Sequence, residues 1–156
     1  MTDDKGFLRR AVETAGSGIN NGGGPFGAVI TKDGKVIAVS NNRVVLDADP
    51  TAHAEILAIR EAARLTGTHI LDGCVLYSSC EPCPMCLGAI YWARPNRVFY
   101  AATKHDASHA GFDDSFIYDE IPKDKKIRSI PFIQLSQQEA VAVFNAWNDK
   151  EDKVRY

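Results

Sequence analysis

Apolar positions along the chain switch between two spacings. Phe7, Leu8, Ala11, Val12, Ala15 and Ile19 recur at the three- and four-residue intervals of a helix, which the run Gly22-Gly23-Gly24-Pro25 ends. Two β-rich runs follow, Phe26 to Thr31 and Lys35 to Ser40. Asp33-Gly34 between them tolerates positive φ and predicts an antiparallel hairpin. Helical spacing returns over Ala52 to Leu65, stopping before Gly67, and Cys74 to Ser79 reads as a buried strand. A helix over Pro84 to Ala93 and a strand over Arg97 to Ala101 complete a strand, helix, strand unit whose crossover length favours parallel pairing.

Beyond Ala102 the pattern loosens. Asp106 to Glu120 mixes apolar and acidic residues without a clean period and reads as a loop with a short helix. Ile130 to Leu135 reads as a fifth strand, and Gln137 to about Asn148 as a last helix carrying Val141, Phe144 and Trp147. The expected fold class is therefore α/β, a central mixed sheet with helices on both faces.

Composition narrows the setting. The 156 residues, 45% of them apolar, suffice for one full core and predict a single domain. A net charge of −2 writes in no pull toward phosphate backbones, so nucleic acid is not an expected partner. Lys123-Asp124-Lys125-Lys126-Ile127-Arg128 reads as a solvated basic loop, because no aromatic stacking residues interleave with its charges. No apolar signal core follows Met1, and no apolar run approaches the ~20 residues of a membrane span. A cytosolic location follows as an expectation, with the four cysteines read as thiols or metal ligands rather than disulfides.

Chemistry concentrates in two segments, Thr51-Ala52-His53-Ala54-Glu55 and Ser79-Cys80-Glu81-Pro82-Cys83-Pro84-Met85-Cys86. Together they give one imidazole and two thiolates, three of the four ligands of tetrahedral Zn²⁺, and a fourth place left to water marks a catalytic metal. Glu55 is the candidate proton carrier. His53 and Glu55 lie about 200° apart around a helix axis, so both reach one pocket only from an opening turn, where Pro50 and Thr51 place the helix start. Cys83 at an N-cap, Pro84 at the first helical position and Cys86 in the first turn repeat the arrangement. Two positive helix ends then converge on the thiolates. A rival reading closes the metal site with Cys80 as a structural Cys₃His centre. Cys80 at a strand end lies about 10 Å from the pair if the backbone to Cys83 stays extended. Cys74, within an apolar strand, reads as a buried thiol.

The pattern His-x-Glu…Pro-Cys-x-x-Cys is the signature of zinc-dependent nucleobase deaminases. Pro50-Thr51-Ala52-His53-Ala54-Glu55, Cys83-Pro84-Met85-Cys86-Leu87-Gly88-Ala89-Ile90 and Gly23-Gly24-Pro25-Phe26-Gly27-Ala28-Val29 resemble the cytidine and deoxycytidylate deaminase superfamily over about residues 5–102. Tyr91-Trp92-Ala93-Arg94-Pro95 and Ala110 to Tyr118, with a terminal Tyr156, resemble its bacterial guanine deaminase branch. The resemblance implies a five-stranded sheet in an α/β/α sandwich, with His53, Cys83 and Cys86 holding one zinc and Glu55 moving protons. It also implies a homodimer in which the C-terminal segment, from about residue 105, crosses to the partner. The implied reaction is hydrolysis of guanine to xanthine and ammonia. Asn42, whose amide offers donors and an acceptor, and Asp114, with Asp113 as its neighbour, are the candidates for purine edges. Phe26 and Trp92 are the candidates to sandwich the ring, and Tyr156 to close the pocket. A tRNA adenosine deaminase, a cytosine-type deaminase and a non-enzymatic structural zinc module share the metal residues and stay open at this point.

Overall fold

The computed structural model describes residues 3–155, and the chain divides into two units, Met1–Asp114 and Ser115–Tyr156. In the first unit the order is α1 (Asp4–Asn20), β1 (Gly27–Lys32), β2 (Lys35–Asn41), α2 (Val44–Asp47), α3 (Ala54–Thr66), β3 (Cys74–Cys80), α4 (Pro84–Ala93), β4 (Arg97–Ala102) and α5 (Lys104–His109). The hairpin turn forms because Asp33 and Gly34 both take positive φ, 50° and 72°. A register shift at Ile30/Thr31 bulges the pair.

The strands lie in the order β2-β1-β3-β4, antiparallel at β1–β2 and β1–β3 and parallel at β3–β4. Strand alternation sends Ala28, Ile30, Cys74 and Leu76 to one face, where Ala54, Ala58 and Ala62 of α3 and Ile90 and Ala93 of α4 cover them. Val29 and Tyr77 face the other way, against Ala11, Phe7 and Leu8 of α1. Small residues let α1 come close: a Cβ on Gly27 would lie 2.3 Å from the Ala11 carbonyl oxygen. The result is three layers, helix on mixed sheet on helices.

The second unit contains α6 (Ser115–Glu120), a 3₁₀ turn (Lys125–Ile127) and α7 (Gln137–Asp149). The fifth strand expected over Ile130 to Leu135 does not form, and the sheet has four strands among the described residues. Pro131 brings no N–H, and this unit holds only helical elements, so the segment has no strand beside it to pair with. Ile133 and Leu135 are consequently left about four-fifths exposed, at 79% and 81%.

Candidate active site

Two loops end at one point. Before α3, Asp49 Oδ1 accepts from the Thr51 N–H (2.8 Å) and Thr51 Oγ1 (2.7 Å), and the Arg43 N–H reaches the Ala52 carbonyl at 2.9 Å. This fixes His53 as the N-cap of α3, with extended backbone, and puts Glu55 in the first turn. Before α4, Cys83 is the N-cap, Pro84 opens the helix, and Cys86 follows in its first turn. Both helices pack against the same face of the sheet, and their starts meet beyond the carboxyl end of β3.

His53 Nδ1 lies 3.6 Å from Cys83 Sγ and 3.6 Å from Cys86 Sγ. A tetrahedral zinc with bonds of ~2.3 Å to sulfur and ~2.0–2.1 Å to nitrogen needs N···S edges of about 3.6 Å, which both of these edges match, and all three donor atoms lie within 4.8 Å of one another. They are the one group of three or more such donors among the described residues. Cys80 is outside it. Its thiol donates to the Thr103 carbonyl (3.5 Å), away from the three donors, and burial raises its pKa to about 11.

Glu55 is only 6% exposed. Ser78 Oγ donates to its Oε1 at 3.0 Å, and the Cys86 thiol approaches its Oε2 at 3.5 Å. Burial raises the carboxyl pKa above its ordinary value. Among the sulfurs, the Cys83 pKa is lowered, first by the hydrogen bond from Cys86 and further by His53. Cys86 is raised by that same donation and by burial. His53 is raised, chiefly through its hydrogen bond with Cys83.

Other expected residues are placed unequally. Asp114 is partly buried where the Cys83 charge reaches it; burial first, and then that charge, raise its pKa. Asp113 is exposed. Asn42, 9% exposed, bonds through its N–H to the Phe26 carbonyl (2.9 Å), while its Oδ1 accepts from the Val44 N–H (3.2 Å) at the start of α2. Phe26 meets Phe112 edge to face, centroids 4.9 Å apart. Trp92 sits in the last turn of α4, 62% exposed and about 13 Å along the helix from Cys83. Tyr156 lies outside the described residues. Sequence reasoning passed over Ser78 and Phe112. The pair Ser78-Ser79 inside an otherwise apolar strand was the available signal, since buried hydroxyls require partners.

Comparison with known proteins adds to this geometry. A family model described as the cytidine and deoxycytidylate deaminase zinc-binding region matches residues 1–102. The guanine deaminase of Bacillus subtilis is 58% identical over 151 residues, 96% of this chain and 97% of that protein. The X-ray structure of guanine deaminase from Bacillus subtilis superposes with a TM-score of 0.95 at 57% identity, covering 97% of this chain and 98% of that one. A tRNA-specific adenosine deaminase of Aquifex aeolicus is 43% identical over 115 residues, 73% of this chain and 75% of that protein.

Proposed function

For a chain that belongs to the cytidine and deoxycytidylate deaminase family, as this one does, we propose hydrolytic deamination of guanine to xanthine and ammonia. The observation that carries it is the 58% identity to a guanine deaminase across 97% of that protein's length, which continues past the zinc-binding region into the C-terminal residues. The tRNA-directed relative is matched over 73% of this chain.

His53, Cys83 and Cys86 would hold one zinc per chain. Zinc held there supplies Lewis acidity and makes a bound water acidic near neutral pH, with a pKa of ~7. Glu55 takes the proton from the attacking water and delivers it to ring N3, leaving C2 electrophilic. It then passes a second proton to the departing amine, so water is consumed and ammonia released with no net change of proton count. Burial keeps this carboxylate out of bulk solvent, where it would exchange protons unproductively.

Asn42 and Asp114 are the recognition groups of this reading, the amide facing ring acceptors and the carboxylate accepting from guanine N–H groups. Phe26, braced by Phe112, supplies an aromatic wall. Trp92, exposed in the last turn of α4, is the second aromatic of this reading. We further infer a homodimer in which the C-terminal segment crosses over. What supports this is a unit of 42 residues in which none of the described ones is buried, too small and too open to be stable by itself. In such a dimer Tyr156 would close the partner's pocket. Thiol ligands fit a reducing, cytosolic setting.

Ammonia release from the zinc-loaded protein with guanine, adenine, cytosine, their nucleosides and a tRNA anticodon stem-loop tests the reading. Turnover of guanine is expected; turnover of the stem-loop adenosine instead would replace it.

A further inference from the structure

Ser78 is a polar side chain in an apolar place. It belongs to the face of β3 that carries Cys74, Leu76 and Cys80, packs toward α3, and is 2% exposed. A hydroxyl buried so deeply is tolerated only if hydrogen-bonded, and an alanine would pack there without that demand. The bond it makes is to the carboxylate that moves protons: Oγ donates to Glu55 Oε1 at 3.0 Å.

The two carboxylate oxygens therefore have unequal surroundings. Oε1 is held by the strand, and Oε2 is turned to the metal-ligand side, 3.5 Å from Cys86 Sγ. A glutamate at the start of a helix has several free torsions; its own backbone N–H and the Cys86 thiol also meet this carboxylate, and the Ser78 hydroxyl is the contact that comes from the sheet. Its carrier is rigid. Ser78 is paired on one side with Ala28 and on the other with Tyr100, so both neighbouring strands hold its backbone. Ser79, facing the opposite way, accepts from the Gly27 N–H at 2.9 Å and extends the grip of β1 on β3 past the last paired residue.

Resting on the deaminase reading above, we propose that Ser78 is a positioning residue for Glu55. Its hydroxyl fixes the carboxylate so that Oε2 faces the His53, Cys83 and Cys86 group and the reacting water. Ser78 touches neither substrate nor metal in this role; it acts through Glu55.

The test uses full-length, zinc-loaded Ser78→Ala and Ser78→Thr proteins. In Ser78→Ala, kcat for guanine should fall about 10- to 100-fold while KM stays within about twofold, because a hydrogen bond to a charged group is lost and ground-state binding is not. Zinc per chain should equal that of the unaltered protein, and crystals of Ser78→Ala should show the Glu55 carboxylate turned from its present rotamer. Ser78→Thr, which keeps the hydroxyl on a strand-compatible side chain, should recover most of kcat. Unchanged kcat in Ser78→Ala overturns the proposal, as does a loss of kcat in proportion to lost zinc, or a threonine variant no better than alanine. Should Ser78→Ala fail to fold, Ser78→Cys replaces it: a weaker donor of similar shape predicts a lowered kcat, and full activity overturns the assignment. Absence of guanine turnover in the unaltered protein would instead sink the functional reading, and the Glu55 rotamer in the variant crystal would still decide the role of Ser78.

Discussion

At the scale of single residues, the site works by giving neighbouring groups of the same type different environments. Cys80, Cys83 and Cys86 are spaced evenly, yet two of them join His53 and the third turns to a backbone carbonyl. Cys80→Ser should therefore leave zinc content unchanged, whereas Cys83→Ser should strip it, as metal analysis after gel filtration will show. A loss of zinc from Cys80→Ser would revive the closed structural centre. Glu55 is separated from the ligands in the same way. Glu55→Gln keeps the shape and the three donors, so about one zinc per chain should remain while ammonia release falls by about 10²-fold or more. The identity of these residues was legible in the sequence because ligand chemistry permits few residue types at this spacing. The role of Ser78 was not, since a serine in a strand becomes meaningful only when its partner across the sheet face is known.

At the scale of elements, helix starts and strand ends do the placing. α1 is tied down by Tyr77, whose hydroxyl donates to Asp4 Oδ1 at 2.6 Å and whose ring stacks on Phe99, centroids 5.3 Å apart. Burial first, and then that hydrogen bond, raise the Tyr77 pKa from 10.0 to about 12. A raised folded-state value means the native protein holds its proton where the unfolded chain releases it. The associated stability is complete below pH 10 and is lost as pH rises through about 12. Tyr77→Phe should flatten that alkaline decline in denaturant melts and cost about 1 kcal/mol at neutral pH. Gly27 acts in the same layer: Gly27→Ala would drive a methyl into the α1 backbone, 2.3 Å from the Ala11 oxygen and 2.6 Å from the Ala15 nitrogen. We expect a loss of more than about 2 kcal/mol, read as a lowered urea midpoint. The element types and most of their order followed from periodicity, but α2 did not. It is a four-residue turn whose first N–H is capped by Asn42, too short to show a period.

At the scale of the whole molecule, the two units differ in kind. The first, Met1–Asp114, has two apolar layers and the His53, Cys83 and Cys86 group at two helix starts. The second leaves Phe116, Ile133, Leu135, Val143 and Phe144 more than three-fifths exposed. If a second copy covers them, sedimentation should give twice the 17.1 kDa chain mass. Deleting the last few residues should then impair guanine turnover while zinc is retained; unchanged kinetics would remove Tyr156 from the pocket. By itself the sequence determined the three-donor group, the hairpin and the α/β class, because each rests on short-range rules of spacing, turn chemistry and alternation. Only the tertiary structure decided the rest. Which cysteine turns away, which serine meets Glu55, that Phe26 meets Phe112, and that Ile130 to Leu135 stays unpaired all depend on residues far apart in the chain meeting across a sheet, which no local pattern encodes.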